Sequence, residues 1–371
     1  MKFTFDREAM ISEIAIAQEI ISTKSALSIL SNVMIIAQSN TLVIKATDIK
    51  VNFETKIPVD IQEEGSTTIF CDKFMGILAS LPAGEIEFNL EQKETQTIAI
   101  IRHTAKKIKF QLKCMSQDKF PEFPTIQEVP FFEVPGKELK AMIAQTSFAV
   151  SEDETRYFMN GVYFEKKENN LVLVATDGRR LAYASKEVLN GAMDFPSAIV
   201  HPKVLNIVAK HASDEGNVSI AIVDKMIFFR FANYELSSTL LDGQFPNYQR
   251  VIPESQPNSF QVQKNDLMDA LKRTSLMVDK KAGRIFLTAI PGVLTVTSQE
   301  SDLGDAKEEF PCQYDGQEIT IAMNYHYVEE PLKVINSDRI TFEFSEAMKA
   351  VTMRPEPAED YFHIIMPMQM A

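Results

Sequence analysis

Two proline-rich stretches divide the sequence. Residues 118–130 read DKFPEFPTIQEVP, and residues 242–253 read DGQFPNYQRVIP. Each contains an Asp, then Phe-Pro, an aromatic residue, Ile and Pro, and the two Phe-Pro pairs are 125 positions apart (245 − 120). Proline fixes φ and cannot donate to a strand ladder. Both stretches are therefore predicted to be extended linkers between similar modules.

Other segments recur at nearly the same distance. Residues 42–48 read LVIKATD and residues 171–177 read LVLVATD, and a weaker copy, LTVTS, lies at residues 294–298. Each is an apolar alternation that ends in a polar turn, which is typical of a half-buried strand and its exit. Apolar residues at helical spacing predict helices over residues 137–150 and 264–278. The sequence thus predicts three modules, which are residues 1–126, 127–254 and 255–371.

Each module also repeats internally. FDREAM at residues 5–10 resembles FCDKFM at residues 70–75, and further helical patterns fall at residues 72–81, 203–212 and 325–335. Alternating segments typical of strands follow each helical pattern. The predicted unit is a strand, a helix and three strands, present six times. Such a chain belongs to the α+β class, with helices on one face of antiparallel sheets.

Composition limits the class of protein. The 371 residues carry 38 Lys and Arg against 51 Asp and Glu, a formal charge of −13, and 45% are hydrophobic, as in an ordinary globular chain. The charge alone argues against a protein that coats nucleic acid or an anionic membrane.

No apolar run approaches the length of a membrane span, and the N-terminus lacks the apolar core of a signal peptide, so no membrane association or export is expected. Cys71, Cys114 and Cys312 are too far apart to indicate disulfides or a zinc site, and they suggest a cytosolic protein with reduced thiols.

Catalytic signatures are missing from the sequence. The phosphate-loop, dinucleotide, nucleophile-elbow and zinc-protease motifs are absent, and the five histidines do not cluster. Asp48 and Asp177, at the ends of the repeated ATD segments, are the best candidates for an acid–base or metal-binding pair. An Asp at a strand exit more often bonds its own backbone in a turn. No cofactor or metal is expected, although an enzyme and a repeat scaffold that binds only proteins remain alternatives.

Four motifs on this triplicated chain resemble one family. They are RYFMNGVYFE (156–165), ATDGRRLA (175–182), DGQFPNYQRVIP (242–253) and MPMQM (366–370). Together with the opening MKFTFDREAM, they resemble the bacterial sliding clamp, the β subunit of the replicative DNA polymerase III. The resemblance runs along the whole chain. It implies a DNA-clamp fold of three tandem domains, each with two helices packed on antiparallel sheets.

The resemblance also implies a function without catalysis. The chain is expected to form a head-to-tail homodimeric ring that encircles duplex DNA, independently of sequence, and slides on it. Its partners would be the replicative polymerase subunit, the clamp loader and other proteins with a clamp-binding motif, all in the bacterial cytoplasm at the nucleoid. The resemblance implies no membrane partner.

Two segments of opposite charge suit a heterologous contact between two copies. Residues 102–113 carry five basic residues and no acid, and residues 300–309 carry five acids and one lysine. Two solvated faces are the simpler interpretation of such segments when they are taken alone. The family resemblance implies the interface residues Lys107, Lys109 and Phe110 on one subunit, and Leu276, Met277, Glu300 and Asp302 on the other.

The resemblance implies two further sites. The candidate DNA-binding residues are Lys24, Lys73, Arg156, Tyr157, Phe158 and Lys203. For any one helix lysine, a solvated face is an equally good interpretation. Partner peptides are expected in an apolar groove between the second and third modules, at Met159, Thr176, Gly178, Arg179, Arg180, Leu181, Pro246, Arg250, Val251, Met348, Ile364, Ile365, Met366, Pro367 and Met368. Flexible, polarisable Met side chains suit a pocket that repacks around varied ligands.

Overall fold

The computed structural model describes most of the chain. The described residues are 1–21, 28–93, 96–124, 130–188, 195–279, 281–302 and 304–370. The chain forms two compact units, one of Met1–Lys137 with Asn206–Leu240 and one of Glu138–Leu205 with Leu241–Ala371. The middle module of the sequence repeat contributes residues to both units, and every sheet lies within one unit.

Strands dominate the described residues. In chain order they are β1 (Lys2–Asp6), β2 (Asn32–Gln38), β3 (Thr41–Thr47), β4 (Val51–Pro58), β5 (Asp60–Glu63), β6 (Gly65–Phe70), β7 (Glu85–Lys93), β8 (Gln96–His103), β9 (Lys109–Cys114), β10 (Phe132–Pro135), β11 (Val162–Lys167), β12 (Asn170–Thr176), β13 (Arg180–Glu187), β14 (Ala198–Val200), β15 (Asn217–Val223), β16 (Met226–Phe231), β17 (Tyr234–Thr239), β18 (Asn258–Gln263), β19 (Arg284–Ile290), β20 (Val293–Ser298), β21 (Lys307–Gln313), β22 (Ile319–Asn324), β23 (Arg339–Phe344), β24 (Val351–Glu356) and β25 (Tyr361–Ile365).

In the described residues, six helices lie between the strands, and successive helices are separated by four or five strands. They are α1 (Arg7–Ile20), α2 (Cys71–Ser80), α3 (Gly136–Thr146), α4 (Pro202–His211), α5 (Lys264–Thr274) and α6 (Tyr325–Val334). The predicted helices at 137–150 and 264–278 are confirmed, but each ends in a short 3₁₀ turn, Ser147–Ala149 and Ser275–Met277. The predicted order of one strand, one helix and three strands occurs six times, with β5 as an additional strand.

The first unit contains two antiparallel sheets. One has the strand order β5-β1-β7-β8-β9, and the other has the order β10-β15-β16-β17-β4-β3-β2-β6. Strand β17 pairs with β4 over Tyr234↔Thr55 to Ser238↔Val51, so the linker-separated first and middle modules share one sheet. Asp6 caps the N-terminus of helix α1, because its carboxylate accepts hydrogen bonds from the backbone N–H groups of Glu8 and Ala9.

The second unit contains one sheet of twelve strands. Its order is β14-β11-β12-β13-β25-β24-β23-β18-β21-β20-β19-β22. Strand β25 pairs with β13 over Arg180↔Ile365 to Ala184↔Tyr361, which joins the middle and last modules. Helix α5 buries Leu267, Ala270 and Leu271 at helical spacing. No helix in the described ranges has the length and apolar character needed to cross a membrane.

Candidate functional site

A tight turn between β12 and β13 forms one wall of the predicted groove. The Thr176 hydroxyl accepts from Gly178 N (3.1 Å) and donates to the Arg180 carbonyl (2.6 Å). The Asp177 carboxylate accepts from the backbone N–H groups of Arg179 (2.8 Å) and Arg180 (3.1 Å). Gly178 has φ +89°, a conformation that L side chains rarely adopt. These local bonds fix the turn and leave Arg179 exposed.

Arg180 connects this turn to helix α6. Its guanidinium bonds the Asp177 carboxylate (Nε–Oδ2 3.1 Å), the Phe148 carbonyl (Nη2–O 2.7 Å) and the Glu330 carboxylate. The guanidinium carbon also lies 5.4 Å from the ring centre of Phe148 and 4.6 Å from that of Tyr327. Its side chain is only 10% exposed. Arg180 is therefore a structural link below the groove surface.

An apolar cluster contains two of the predicted groove residues, Leu181 and Ile364. Tyr163 stacks on Phe245 with ring centres 4.7 Å apart, and Tyr183 stacks on Phe362 at 4.8 Å. The Tyr248 hydroxyl donates to the Glu165 carboxylate at 2.6 Å, and burial, with this hydrogen bond, raises the pKa of the phenol. The buried members of the cluster are Val172, Val174, Leu181, Ile199, Phe245, Tyr248, Phe362 and Ile364.

The C-terminal segment is hydrogen-bonded to two other parts of the second unit. After β25, Met366 N donates to the Arg179 carbonyl at 2.9 Å, and Met368 N donates to the Ala322 carbonyl of β22 at 2.7 Å. These backbone bonds hold the Met-rich segment, which would otherwise fray. Met366 and Met370 remain exposed.

The structure brings the fifteen predicted groove residues into one unit at different depths. Gly178, Arg179, Arg250, Val251, Met348 and Met366 are exposed, and Arg180, Pro246, Pro367 and Met368 are half-buried. The buried members are Met159, Thr176, Leu181, Ile364 and Ile365. The arrangement is an apolar floor with exposed Met and Val side chains, which suits a short apolar segment of another protein.

Asp48 occupies the same kind of turn as Asp177. Its carboxylate accepts from the backbone N–H groups of Lys50 (3.0 Å) and Val51 (2.7 Å), and the Thr47 hydroxyl accepts from Ile49 N (2.8 Å). Both aspartates thus have the turn-forming role that the sequence favoured over catalysis. Within the described ranges, no three His, Cys, Asp or Glu side chains are grouped so that they could hold a metal ion.

The predicted interface residues lie on strand edges and loops. Strand β9 is the last strand of its sheet, with Lys109 exposed and Phe110 half-buried, and Lys107 is exposed just before it. In the other unit, Leu276 is 81% exposed beside the half-buried Met277. Glu300 and Asp302 are exposed in the segment before β21. Strand β21 pairs with β20 over Lys307–Pro311, but with β18 only at Cys312 and Gln313, so its first half has an open edge.

The candidate DNA-binding residues differ in their surroundings. Lys73 is exposed on α2, Tyr157 is 51% exposed, and Lys203 is half-buried in the first turn of α4. Arg156 bonds Asp153 (2.8 Å) and the Asp177 carbonyl (3.1 Å). Phe158 packs against the apolar cluster of the groove. Lys24 lies outside the described residues.

No sequence motif pointed to the residues that surround Arg180. Phe148, Tyr327 and Glu330 have no motif in common, and Glu330 is 150 positions from Arg180. His363 is also buried here, with its ring 5.3 Å from that of Phe148. Burial, together with the charge of Arg180, lowers the pKa of His363 to about 3. This imidazole is therefore neutral at neutral pH.

Comparison with known proteins assigns the family. Profiles of the DNA polymerase III beta subunit match residues 1–124 (N-terminal domain), 133–247 (central domain) and 249–369 (C-terminal domain). The beta sliding clamp of Treponema pallidum is 46% identical over 373 residues, with complete coverage of both chains. Crystal structures of the sliding clamps of Bacillus subtilis and Pseudomonas aeruginosa, the latter bound to griselimycin, superpose with TM-scores of 0.94 and 0.92 at 26% identity, again with complete coverage.

The chain therefore belongs to the beta sliding clamp family, the DNA polymerase III beta subunits, which are processivity factors of DNA replication. The fold class predicted from the sequence is confirmed by these structures. The expected three-part architecture of antiparallel sheets with helices is that of the family.

Proposed function

We propose that two copies of this chain form a closed ring, that the ring encircles and slides on duplex DNA, and that it tethers polymerases through the groove. The ring catalyses no reaction, and a separate loader opens it, in the cytoplasm at the bacterial nucleoid. Three domains, residues 1–126, 127–254 and 255–371, give six domains per ring. The observation that carries the proposal is the apolar cluster that contains Leu181 and Ile364, beside the hydrogen-bonded C-terminal segment, in a chain of the sliding clamp family.

The groove is suited to a peptide with apolar anchors. Its floor at Leu181 and Ile364 is buried, and Val251, Met348 and Met366 are each about half exposed around it. Side chains of this kind lose water-exposed apolar surface when a ligand covers them, and Met adapts to different anchors. Several partners with related short segments would then compete for one site.

The two arginines of the turn are assigned different roles. Arg179 is exposed and is available to contact a partner, whereas Arg180 is held by three oxygen atoms and two rings. We assign partner contact to Arg179 and support of the groove wall to Arg180. Gly178 gives the turn its left-handed backbone conformation.

The dimer interface is proposed between two open strand edges. Strand β9, at the edge of its sheet, presents Lys109 and Phe110, and Lys107 lies just before it. The first half of β21 in the other copy offers an open edge near Leu276, Met277, Glu300 and Asp302. Pairing of the two edges would satisfy exposed backbone groups and bring basic residues to acidic ones. Because the contact joins different surfaces, it is heterologous, and it closes into a ring if the rotation between the two copies permits.

DNA contact is proposed at Lys73, Tyr157 and Lys203, with Lys24 as a further candidate. Sparse phosphate contacts of this kind would be independent of base sequence and sensitive to salt. The bonds of Arg156 to Asp153 and the Asp177 carbonyl support a role in shaping the loop that presents Tyr157. Phe158 supports the same loop from the apolar cluster.

Retention on circular and linear DNA tests the proposed ring. The clamp is loaded onto nicked circular plasmid by its loader. Gel filtration removes unbound protein, and the plasmid in half of the sample is then linearised. We expect a dimer of two 41.9 kDa chains that stays on the circle and leaves the linear form. Equal loss from both forms would refute encirclement and would favour a scaffold that binds only proteins. A preparation that cannot form dimers is the matched control.

A further inference from the structure

Two strand pairings in this chain, here called junctions, join neighbouring modules in the same way, and the proposed groove lies at the second of them. In the second unit, β13 pairs with β25, and Leu181 lies opposite Ile364. In the first unit, β4 pairs with β17, and Asn52 lies opposite Ser237. Asn52 is five positions after Thr47, and Leu181 is five positions after Thr176, so the repeated ATD turns place these two pairs in the same register.

The backbone bonds of the two junctions also correspond. Thr239 N donates to the Lys50 carbonyl at 2.9 Å, and Met366 N donates to the Arg179 carbonyl at the same distance. The Phe side chains of the two Phe-Pro linkers are equally buried, since Phe120 and Phe245 are each 8% exposed. The two junctions therefore share their strand pairing and register, and the side chains on these strands differ.

The side chains at matching positions have opposite character. Where the second unit has Leu181 beside Ile364, the first has Asn52, whose amide donates to the Ser237 hydroxyl at 3.1 Å. Two residues further along the same strands, the stacked Tyr183 and Phe362 correspond to Glu54 and Glu235. On the neighbouring strand, Val174 corresponds to Lys45.

These polar groups are already paired with each other. Lys45 Nζ lies 2.8 Å and Lys56 Nζ 3.0 Å from the Glu54 carboxylate. Partial burial raises the pKa of Glu54, but the hydrogen bonds from both lysines hold it below its ordinary value. An apolar anchor placed here would remove water from these charges without offering them a hydrogen bond, which is unfavourable.

One groove wall is also missing at the first junction. Strands β23 and β24 are joined by residues 345–350, which carry the exposed Met348. The matching strands, β15 and β16, are joined only by Asp224 and Lys225. The first junction has the linker and the strands of the groove, but neither its apolar floor nor its Met wall.

We propose that Lys45, Asn52, Glu54 and Ser237 are specificity determinants that exclude apolar-anchored peptides from the first junction, so that each chain takes one such peptide. This inference rests on the proposed peptide site in the second unit. The four residues act by replacing an apolar floor with paired polar groups at the same backbone positions.

Exchange of the two floors tests the inference. Isothermal titration calorimetry of the full-length dimer uses a short synthetic peptide from the clamp-binding segment of the replicative polymerase. The wild-type chain is expected to bind one peptide. Substitution of the first junction with Lys45→Val, Asn52→Leu, Glu54→Tyr and Ser237→Ile is expected to create a second binding event per chain, weaker than the first because the connection that carries Met348 has no counterpart there. The reciprocal variant, Leu181→Asn with Ile364→Ser, is expected to lose affinity by roughly 30-fold or more, as for a central apolar anchor site.

The possible outcomes separate this inference from the proposed function. Two peptides per wild-type chain, or a folded dimeric four-substitution variant that still binds one, would overturn the inference and leave the groove intact. If that variant does not fold, the reciprocal variant decides. It is expected to fold, because an Asn–Ser pair at this register already exists in the first unit. Full peptide affinity in the reciprocal variant would overturn the inference. A wild-type chain that binds no peptide would instead contradict the proposed groove.

Discussion

Replacement of Arg180 by Met tests the link between the groove turn and helix α6. Met keeps much of the side-chain volume but removes the charge and all five N–H donors. The Asp177 carboxylate, the Glu330 carboxylate and the Phe148 carbonyl would each lose a partner. The stacking on Phe148 and Tyr327 would lose its cation.

The expected loss follows from the burial of each group. Breaking a fully buried ion pair by removing one partner costs about 3–5 kcal/mol. Arg180 is 10% and Asp177 15% exposed, but Glu330 is 33% exposed and can regain water. With that discount, the free energy of unfolding of the second unit is expected to fall by roughly 2–4 kcal/mol.

Chemical denaturation followed by circular dichroism measures this change. The matched control is Arg179→Met, which removes the neighbouring exposed arginine from the same turn and is expected to alter stability by less than about 0.5 kcal/mol. Arg180→Lys should be intermediate, because an ammonium cannot reproduce the planar fork. Wild-type stability for Arg180→Met, or an equal loss in Arg179→Met, would refute the assigned role.

Three further changes have defined expectations. Deletion of residues 366–371 should abolish binding of a polymerase-derived peptide and preserve the dimer, because it removes Met366 from the groove; unchanged affinity in fluorescence anisotropy would contradict the site. Leu276→Ala with Met277→Ala should yield monomers in light scattering, because Leu276 is 81% exposed in the isolated chain, and a dimer that persists at nanomolar concentration would count against this interface. His363, with its pKa lowered to about 3 against about 6.5 when unfolded, stays neutral in the fold. Stability should thus fall as pH drops from about 6.5 towards 3, because only the unfolded state takes up a proton on this residue there, and His363→Gln should show a shallower slope in acid denaturation.

The repeats made the fold predictable, because they are local patterns with a fixed period. The LVIKATD and LVLVATD segments end as strands β3 and β12 at Thr47 and Thr176, and the following Asp caps the turn in both. Sequence could not place the ends of the helices at 146 and 274, where a 3₁₀ turn continues the same apolar spacing. The pairing of β13 with β25 joins segments far apart in sequence, and only the assembled sheet shows its register.

The site was predictable in its apolar members but less so in its charged ones. Met366 and Val251 follow from the family motifs and are exposed as a binding surface requires. Arg180 lies in the same motif, yet its Glu330 partner is 150 positions away and gives no local signal. Charged contacts of this kind depend on how a sheet places distant segments, and a single sequence does not contain that information.

The formal charge of −13 is consistent with the proposed DNA ring for a physical reason. Part of the cationic surface is already neutralised, since Arg273 on α5 bonds Glu308 (Nε–Oε2 2.7 Å) and lies 3.8 Å from Asp269. A phosphate that approaches such a residue must compete with its ion pair, so affinity for open DNA should be low, and it should decrease with salt. Closure of the ring does not depend on phosphate contact. Retention on circular DNA should accordingly persist at a salt concentration that abolishes binding to short linear duplexes.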